Sequence, residues 1–98
     1  MLKDFDKAFE NRLRLQIMAV LTANERYDFN SLKELLEVTD GNLASHLKAL
    51  EKVNYIAVQK IFIGRKTNTS YAATPLGREA FAKHLQTLEQ LIKNHGTI

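Results

Sequence analysis

The sequence lacks cysteine and contains one proline and four glycines among its 98 residues. Without cysteine, the chain can form no disulfide, no thiolate nucleophile and no cysteine-ligated zinc site. It also has no apolar run near the roughly 20 residues that a membrane-spanning helix needs. Acidic residues at Asp4, Asp6 and Glu10 interrupt what would be the apolar part of a secretion signal. We therefore expect a soluble, cytoplasmic protein with no membrane partner.

Length and composition predict one small domain, residues 1–98, with a single core. The formal net charge of +3 is uneven, because residues 56–98 hold six Lys or Arg against two Asp or Glu. Lys60, Arg65 and Lys66 lie close together in this part. Such a cluster can contact phosphate, although most short basic clusters are only solvated surface.

The first helix is predicted by apolar residues that recur every three or four positions from about Asp4 to Thr22. Phe5 and Phe9 belong to this stripe. Residues 23–28 are polar and interrupt the pattern, and Phe29 is expected to form a short extended piece.

A short second helix is predicted next. Ser31 and Glu34 have the spacing of a capping box, with Asn30 as the alternative cap. This helix should end near Val38.

A third helix should span about residues 39–53. Thr39 is its expected N-cap, and Asp40 lies in the first turn, where the helix dipole favours an acid. Asn54 should end the helix in the left-handed conformation, which asparagine tolerates better than most residues.

The pattern then predicts a β-hairpin. Residues 55–63 are rich in β-branched and aromatic side chains, residues 64–68 form a polar turn, and residues 69–73 are strand-like.

The last helix is predicted to have Thr74 as its N-cap, Pro75 in its first turn and Gly96 at its end. Its apolar residues repeat in steps of four and three, as in a coiled coil: Phe81, Leu85, Leu88 and Ile92. We expect this seam, with Phe5 and Phe9, to form a homodimer interface. The alternative is that the seam packs on its own domain.

Together these elements predict a mainly α fold with a small β-hairpin, in the order helix, short extended piece, helix, helix, hairpin, long helix. Two short helices joined by a tight turn and followed directly by a hairpin form the winged helix-turn-helix arrangement.

The third helix has two unlike faces. Leu43, Leu47 and Leu50 lie within about 40° of one another on a helical wheel and should be buried. The other side carries small, polar and basic residues, namely Gly41, Asn42, Ser45, Lys48 and Lys52. Asn42 and Ser45 could contact base edges in a groove, whereas the lysines suit phosphates. A merely solvated face is the alternative interpretation.

The hairpin, the predicted wing of about residues 60–71, could also contact DNA. Arg65 and Lys66 at its tip can reach a minor groove or the backbone, with Asn68 and Thr69 adding hydrogen bonds. The alternative is that the basic residues only prevent aggregation.

The histidines leave one question open and exclude one site. His46 lies at the edge of the buried face, so a packing or hydrogen-bonding role and a phosphate contact both remain open. His84 and His95 are eleven residues apart in the last helix, which separates them by about 16 Å. One chain cannot chelate a metal with that pair. A site shared across a dimer is the alternative, but surface histidines are commoner, and we expect no metal and no cofactor.

Three segments resemble a known family. LASHLKALEKVNYI resembles the S-x-H-L-x-x-L-E-x-x-G-h-I segment of compact, single-domain bacterial winged-helix regulators of the MarR and ArsR kind. TSYAATPLGR is similar to their T-x-Y-x-L-T-x-x-G-R ending, and NRLRLQIMAVL to their first helix. The resemblance implies a homodimer that binds an inverted-repeat operator, usually as a repressor.

The sequence also departs from this family. Asn54 replaces the usual glycine before the first wing strand, and Ala73 replaces the leucine after the wing tyrosine. The Asp-x-Arg wing signature of MarR proteins and the cysteine metal sites of many ArsR proteins are absent. The resemblance therefore implies DNA binding but not metal sensing.

We expect a transcriptional regulator that binds double-stranded DNA and is not an enzyme, because no glycine-rich phosphate loop, metal-ligand cluster or catalytic triad occurs. The main alternative is a winged helix used for protein binding. A small-molecule effector is conceivable, but no residue indicates its identity.

Overall fold

Four α-helices and a three-stranded antiparallel sheet make up residues 4–95, the part of the chain that the computed structural model describes. After a 3₁₀ turn at Lys7–Phe9, the elements are α1 (Arg12–Ala23), β1 (Tyr27–Asp28), α2 (Phe29–Leu36), α3 (Asp40–Lys52), β2 (Ile56–Ile63), β3 (Lys66–Ala73) and α4 (Pro75–His95). The strand order is β1–β3–β2. The predicted mainly α fold with a small hairpin is confirmed. Gly96, the predicted end of the last helix, lies outside the described residues.

The core lies where α1, α2 and α3 meet the base of the sheet. Its most deeply buried side chains are under 2% exposed and comprise Ile17, Met18, Leu21, Leu32, Leu43, Leu47 and Leu50. The three leucines of α3 are the stripe predicted from the helical wheel. Each fully buried side chain of this kind contributes about 1.5 to 3 kcal/mol of hydrophobic stabilisation, so α3 is anchored through this face and its other face stays in solvent.

The predicted first helix is wrong before Arg12. Asp6 caps the 3₁₀ turn, its carboxylate accepting a hydrogen bond from Ala8 N at 2.9 Å. Asn11 then has an extended backbone, and its Oδ1 accepts from the backbone N–H groups of Leu13 and Arg14 at 2.9 and 3.1 Å. Since a side-chain cap satisfies the free N–H groups of a helix start, α1 begins after Asn11 and the chain before it takes another direction.

The start of α2 also differs from the prediction. Asp28 is the N-cap, because its carboxylate accepts from Ser31 N at 3.1 Å and from Ser31 Oγ at 2.6 Å. Ser31 and Asn30 therefore lie inside the helix instead of capping it. The short extended piece is Tyr27–Asp28, which pairs with β3, and Phe29 is helical.

The turn between α2 and α3 is close to the one expected. Helix α2 ends at Leu36 with Glu37 left-handed at φ 54°, slightly before the predicted end near Val38. Thr39 caps α3 as predicted, its hydroxyl accepting from Asn42 N at 3.2 Å. Asn54 has φ 62° after α3, which confirms its predicted left-handed conformation.

The hairpin is longer than predicted. Strands β2 and β3 pair from Ile56 with Ala73 to Ile63 with Lys66, which leaves Gly64 and Arg65 as the turn. Gly64 has φ 66°, a conformation that glycine adopts without strain. The predicted turn over residues 64–68 is therefore too long, and Asn68 and Thr69 lie within β3.

Helix α4 is fixed to the end of α3 at its first turn. Thr74 is its N-cap as predicted, accepting from Gly77 N at 2.9 Å and donating to the Asn54 carbonyl at 2.6 Å. The backbone N–H of Thr74 also donates to the Tyr55 carbonyl at 3.0 Å.

Candidate nucleic-acid interface

The exposed face of α3 and one face of the hairpin border a single concave surface. Gly41, Ser45 and Lys48 line a cavity of about 510 Å³ on the helix side. Lys60 and Thr69 line it from the hairpin. Five predicted DNA contacts are exposed on α3, namely Gly41, Asn42, Ser45, Lys48 and Lys52. Asn42 lines a separate cavity of about 400 Å³ with residues of α1 and with His46. The structure thus brings the two predicted DNA-binding segments together.

Strand alternation determines which hairpin residues face this surface. Successive side chains of a strand point to opposite faces. Lys60 pairs across the hairpin with Thr69, and Phe62 pairs with Thr67. Lys60, Thr67 and Thr69, with Asn68, also border a second cavity of about 390 Å³ beside the start of α2. The face that carries Lys60 and Phe62 is therefore the face toward α2 and α3.

The hairpin tip carries the two predicted phosphate-binding residues. Arg65 is the second residue of the turn and Lys66 the first of β3, and both are exposed. Neither is needed for the core, so both side chains can follow a phosphate backbone.

Basic side chains outnumber acidic ones at this surface, since Lys48 and Lys60 line the cavity together with the single acid Glu51. No Asp or Glu occurs in the sequence between Glu51 and Glu79. The ion pairs among residues 4–95 are Lys33–Asp40 and Glu89–Lys93, so none of the basic side chains at the concave surface or the tip is paired with a described acid. These side chains are Lys48, Lys52, Lys60, Arg65 and Lys66.

Two acids near the surface are already engaged. The Lys33–Asp40 pair, 2.7 Å long, links α2 to α3, although an exposed pair of this kind contributes at most about 1 kcal/mol. The hydrogen bond from the Ser31 hydroxyl lowers the pKa of the Asp28 carboxyl. Both carboxylates thus serve the helix-turn-helix framework.

His46 is half-buried and meets Arg14. Its Nδ1 lies 3.2 Å from Arg14 Nη1, and Arg14 Nε donates to the Ala8 carbonyl at 2.7 Å. Because a guanidinium only donates, Nδ1 must accept, which leaves the ring proton on Nε2. His46 therefore has the hydrogen-bonding role that the sequence left open. A phosphate contact by His46 stays a prediction.

The predicted dimer seam divides between core and surface. Phe9 and Phe81 are 3% and 7% exposed and pack edge-to-face, with ring centroids 5.5 Å apart. Their assignment to a dimer interface is wrong, because both side chains are already covered by their own domain. Leu85, Leu88 and Ile92 remain 45%, 43% and 61% exposed.

Polar contacts that the sequence did not reveal hold the N-terminal segment to α4. The Tyr55 hydroxyl donates to the Asp6 carboxylate, and Asp6 N donates to His84 Nδ1 at 3.2 Å. Burial, with the hydrogen bond to Asp6 and its charge, raises the pKa of Tyr55 to about 12. Phe5 packs edge-to-face on His84, with ring centroids 5.2 Å apart, so Phe5 also belongs to this cluster.

Lys60 lines the concave surface, and Phe62 lies on the same face of the hairpin. The sequence placed Lys60 in a basic cluster that can contact phosphate, whereas Phe62 was not among the predicted DNA contacts. The sequence signal was available, because both share strand parity with the buried Ile56. The sequence does not show on which side of the hairpin α3 lies.

No helix in residues 4–95 is long and apolar enough to cross a membrane. Over the same range, His, Asp and Glu side chains form no group of three or more that could hold a metal ion.

A basic hairpin beside an exposed polar helix defines a winged-helix DNA-binding domain. Residues 13–92 match the family described as winged helix DNA-binding domain, and the chain belongs to that family.

The chain is also similar to a relative and to solved structures. The chain is 40% identical over 88 residues to an uncharacterized protein of Methanocaldococcus jannaschii, covering 90% of this chain and 96% of that one. It is similar to a transcriptional regulator homologue of Pyrococcus horikoshii OT3, with TM-score 0.86 and 29% identity over 95% of this chain and 94% of that one. Diamide-treated YodB from B. subtilis shares the fold, with TM-score 0.72 and 20% identity over 90% and 85% of the two chains. The predicted resemblance to winged-helix regulators is confirmed, and the chain is a DNA-binding transcriptional regulator.

Proposed function

We propose that the protein is a homodimeric repressor that binds an inverted-repeat operator in double-stranded DNA. Helix α3 enters the major groove, where Asn42 and Ser45 contact base edges. Lys48 in α3, with Arg65 and Lys66 at the hairpin tip, binds phosphates on either side. The protein acts in the cytoplasm, without catalytic activity or a cofactor.

One observation carries the proposal, namely the concave surface shared by α3 and the hairpin. Ser45 and Lys48 from the helix and Lys60 and Thr69 from the hairpin line the same cavity of about 510 Å³. A duplex that lies along this surface meets the helix and the hairpin at once. The unpaired basic side chains give this surface the charge that a phosphate backbone requires.

Exposed apolar side chains on α4 support the homodimer. Leu85, Leu88 and Ile92 stand 43% to 61% exposed along the outer side of this helix. Burial of each against a second copy contributes favourably before the costs of association. In such a dimer the two α3 helices lie about 34 Å apart, which matches half-sites separated by one helical turn of DNA.

Selection from a randomised duplex pool at two salt concentrations tests the proposal. A homodimer with two reading helices should recover a palindromic site, and its affinity should fall steeply as salt rises because phosphate contacts release counterions. Weak and unselective binding, present only at low salt, would contradict sequence-specific recognition and favour a protein partner for the same surface.

A further inference from the structure

The end of the hairpin exposes more apolar surface than a solvated β-turn requires. Phe62 is 79% exposed, more than any other large hydrophobic residue described, and its neighbours Ile61 and Ile63 are 41% and 62% exposed. Single exposed apolar residues are common, but three consecutive ones expose apolar surface on both faces of the hairpin end, which is typical of a contact site.

Phe62 lies on the hairpin face that continues the concave surface beside α3. It shares strand parity with Val58 and Lys60, which line the α3 cavity, and it pairs across the hairpin with Thr67, which borders the second cavity. Ile63 has the opposite parity and points to the reverse face, opposite Lys66. Phe62 therefore faces the same way as the exposed face of α3, and Ile63 faces the opposite way.

The surroundings of Phe62 select an anionic partner. Lys60 shares its face of the hairpin, Arg65 lies in the turn three residues further along, and no acidic residue lies between Glu51 and Glu79 in the sequence. An apolar side chain such as Phe62, with basic side chains near it, fits a partner with negative edges and an apolar interior. The minor groove of duplex DNA has this chemistry, with phosphates at its rims and sugar and base-edge surface between them.

We propose that Phe62 inserts its ring into the minor groove beside the hairpin tip and adds an uncharged contact to the protein–DNA interface. This inference rests on the proposed DNA-binding function and names a residue of the wing that acts through apolar contact. Arg65 and Lys66 hold the phosphates at the rims, which brings the ring to the groove. An inserted apolar side chain also bends the duplex by partly unstacking a base step.

Phe62→Ala and Ile63→Ala form a matched pair of variants, because both remove exposed apolar surface from adjacent positions on opposite faces. Affinity for the selected duplex is measured by fluorescence anisotropy at several salt concentrations. Phe62→Ala should weaken binding about tenfold without changing the salt dependence, since no phosphate contact is lost. Ile63→Ala should bind as the wild type does, and Phe62→Tyr should retain most of the affinity.

The outcomes separate this inference from the function on which it rests. If the wild type selects no duplex, the proposed function itself fails. If the wild type binds selectively and Phe62→Ala binds equally well, Phe62 makes no DNA contact while the proposed function stands. Equal losses for Phe62→Ala and Ile63→Ala would overturn the assignment to one face. A changed sedimentation coefficient of free Phe62→Ala would assign this apolar surface to a second copy of the chain instead.

Discussion

At the residue scale, the packing around Gly77 leaves no room for a side chain. A Cβ at this position would lie 2.0 Å from the Tyr55 carbonyl oxygen and 2.9 Å from Tyr55 Cα. Both neighbours are backbone atoms, so no side-chain rotation can relieve the clash. The close approach lets the first turn of α4 pack against the backbone of Tyr55, which follows α3.

We predict that Gly77→Ala lowers the free energy of unfolding by about 1 to 3 kcal/mol, because overpacking outweighs the helix-propensity gain of about 1 kcal/mol. Urea denaturation measures the change. Gly41→Ala is the control, since a Cβ there meets nothing within 4 Å, and it should not destabilise the fold. Equal stability of the two variants would contradict the proposed clash.

Tyr55 makes stability depend on alkaline pH. Its pKa is raised to about 12, chiefly by burial and further by Asp6, whereas an unfolded tyrosine titrates near pH 10. Between about pH 10 and 12 the folded protein keeps a proton that the unfolded chain releases. The contribution is fully present below pH 10, and the free energy of unfolding falls as the pH rises through this window.

We predict that Tyr55→Phe loses less stability than the wild type between pH 9 and 11 in urea denaturation, because it has no proton to release. Tyr71→Phe should change the profile in the same direction, since burial and then the charge of Glu51 raise the pKa of Tyr71. Parallel pH profiles of Tyr55→Phe and the wild type would refute this role for Tyr55.

At the element scale, the sequence predicted α3 and the order of elements well, because their signals are local. Thr39, the leucine stripe and Asn54 each act within one helix. The starts of α1 and α2 were missed for the opposite reason. Asn11 and Asp28 are caps only because the chain turns there, and nearby polar residues offer the same chemistry.

The candidate site was predictable where it depends on a single helix. The exposed residues of α3 follow from its wheel. The seam of α4 shows the limit of this reasoning, since a spacing of three and four shows which residues share a side but not what covers them. Phe81 is covered by Phe9 from the N-terminal segment, whereas Leu85 and Leu88 extend beyond that cover.

Substitutions in α3 and in the hairpin should change DNA binding in different ways. We predict that Asn42→Ala in α3 relaxes base preference by about 1 to 3 kcal/mol at one position of the half-site. Lys66→Ala in the hairpin should weaken binding to all sequences alike and reduce the salt slope by about one. Competition with mismatched duplexes at several salt concentrations separates the two effects. Unchanged affinity and selectivity in both variants would show that another surface binds DNA.

At the scale of the whole molecule, the proposed homodimer depends on the exposed side of α4. We predict that Leu88→Glu yields a monomer, because a carboxylate buried at a dimer seam would be left without a partner. Sedimentation velocity measures the state. Leu76→Glu is the control, since Leu76 is 52% exposed at the start of α4 and outside the seam. A Leu88→Glu dimer as stable as that of the wild type would move the interface elsewhere.

The start of α4 is joined to the end of α3 by hydrogen bonds and one close backbone contact. Thr74 bonds to the carbonyls of Asn54 and Tyr55, Tyr55 N bonds to the Leu50 carbonyl, and Gly77 admits no gap. The hairpin lies between α3 and α4 in the chain, but these contacts join the residues that follow α3 directly to the start of α4, a helix about 30 Å long. A tilt of α4 would therefore shift the backbone of Asn54 and Tyr55, where α3 ends. In a dimer joined along α4, the crossing angle of the two α4 helices would set the distance between the two α3 helices. A small displacement at the C-terminal end of α4 would then change the half-site spacing that the dimer fits.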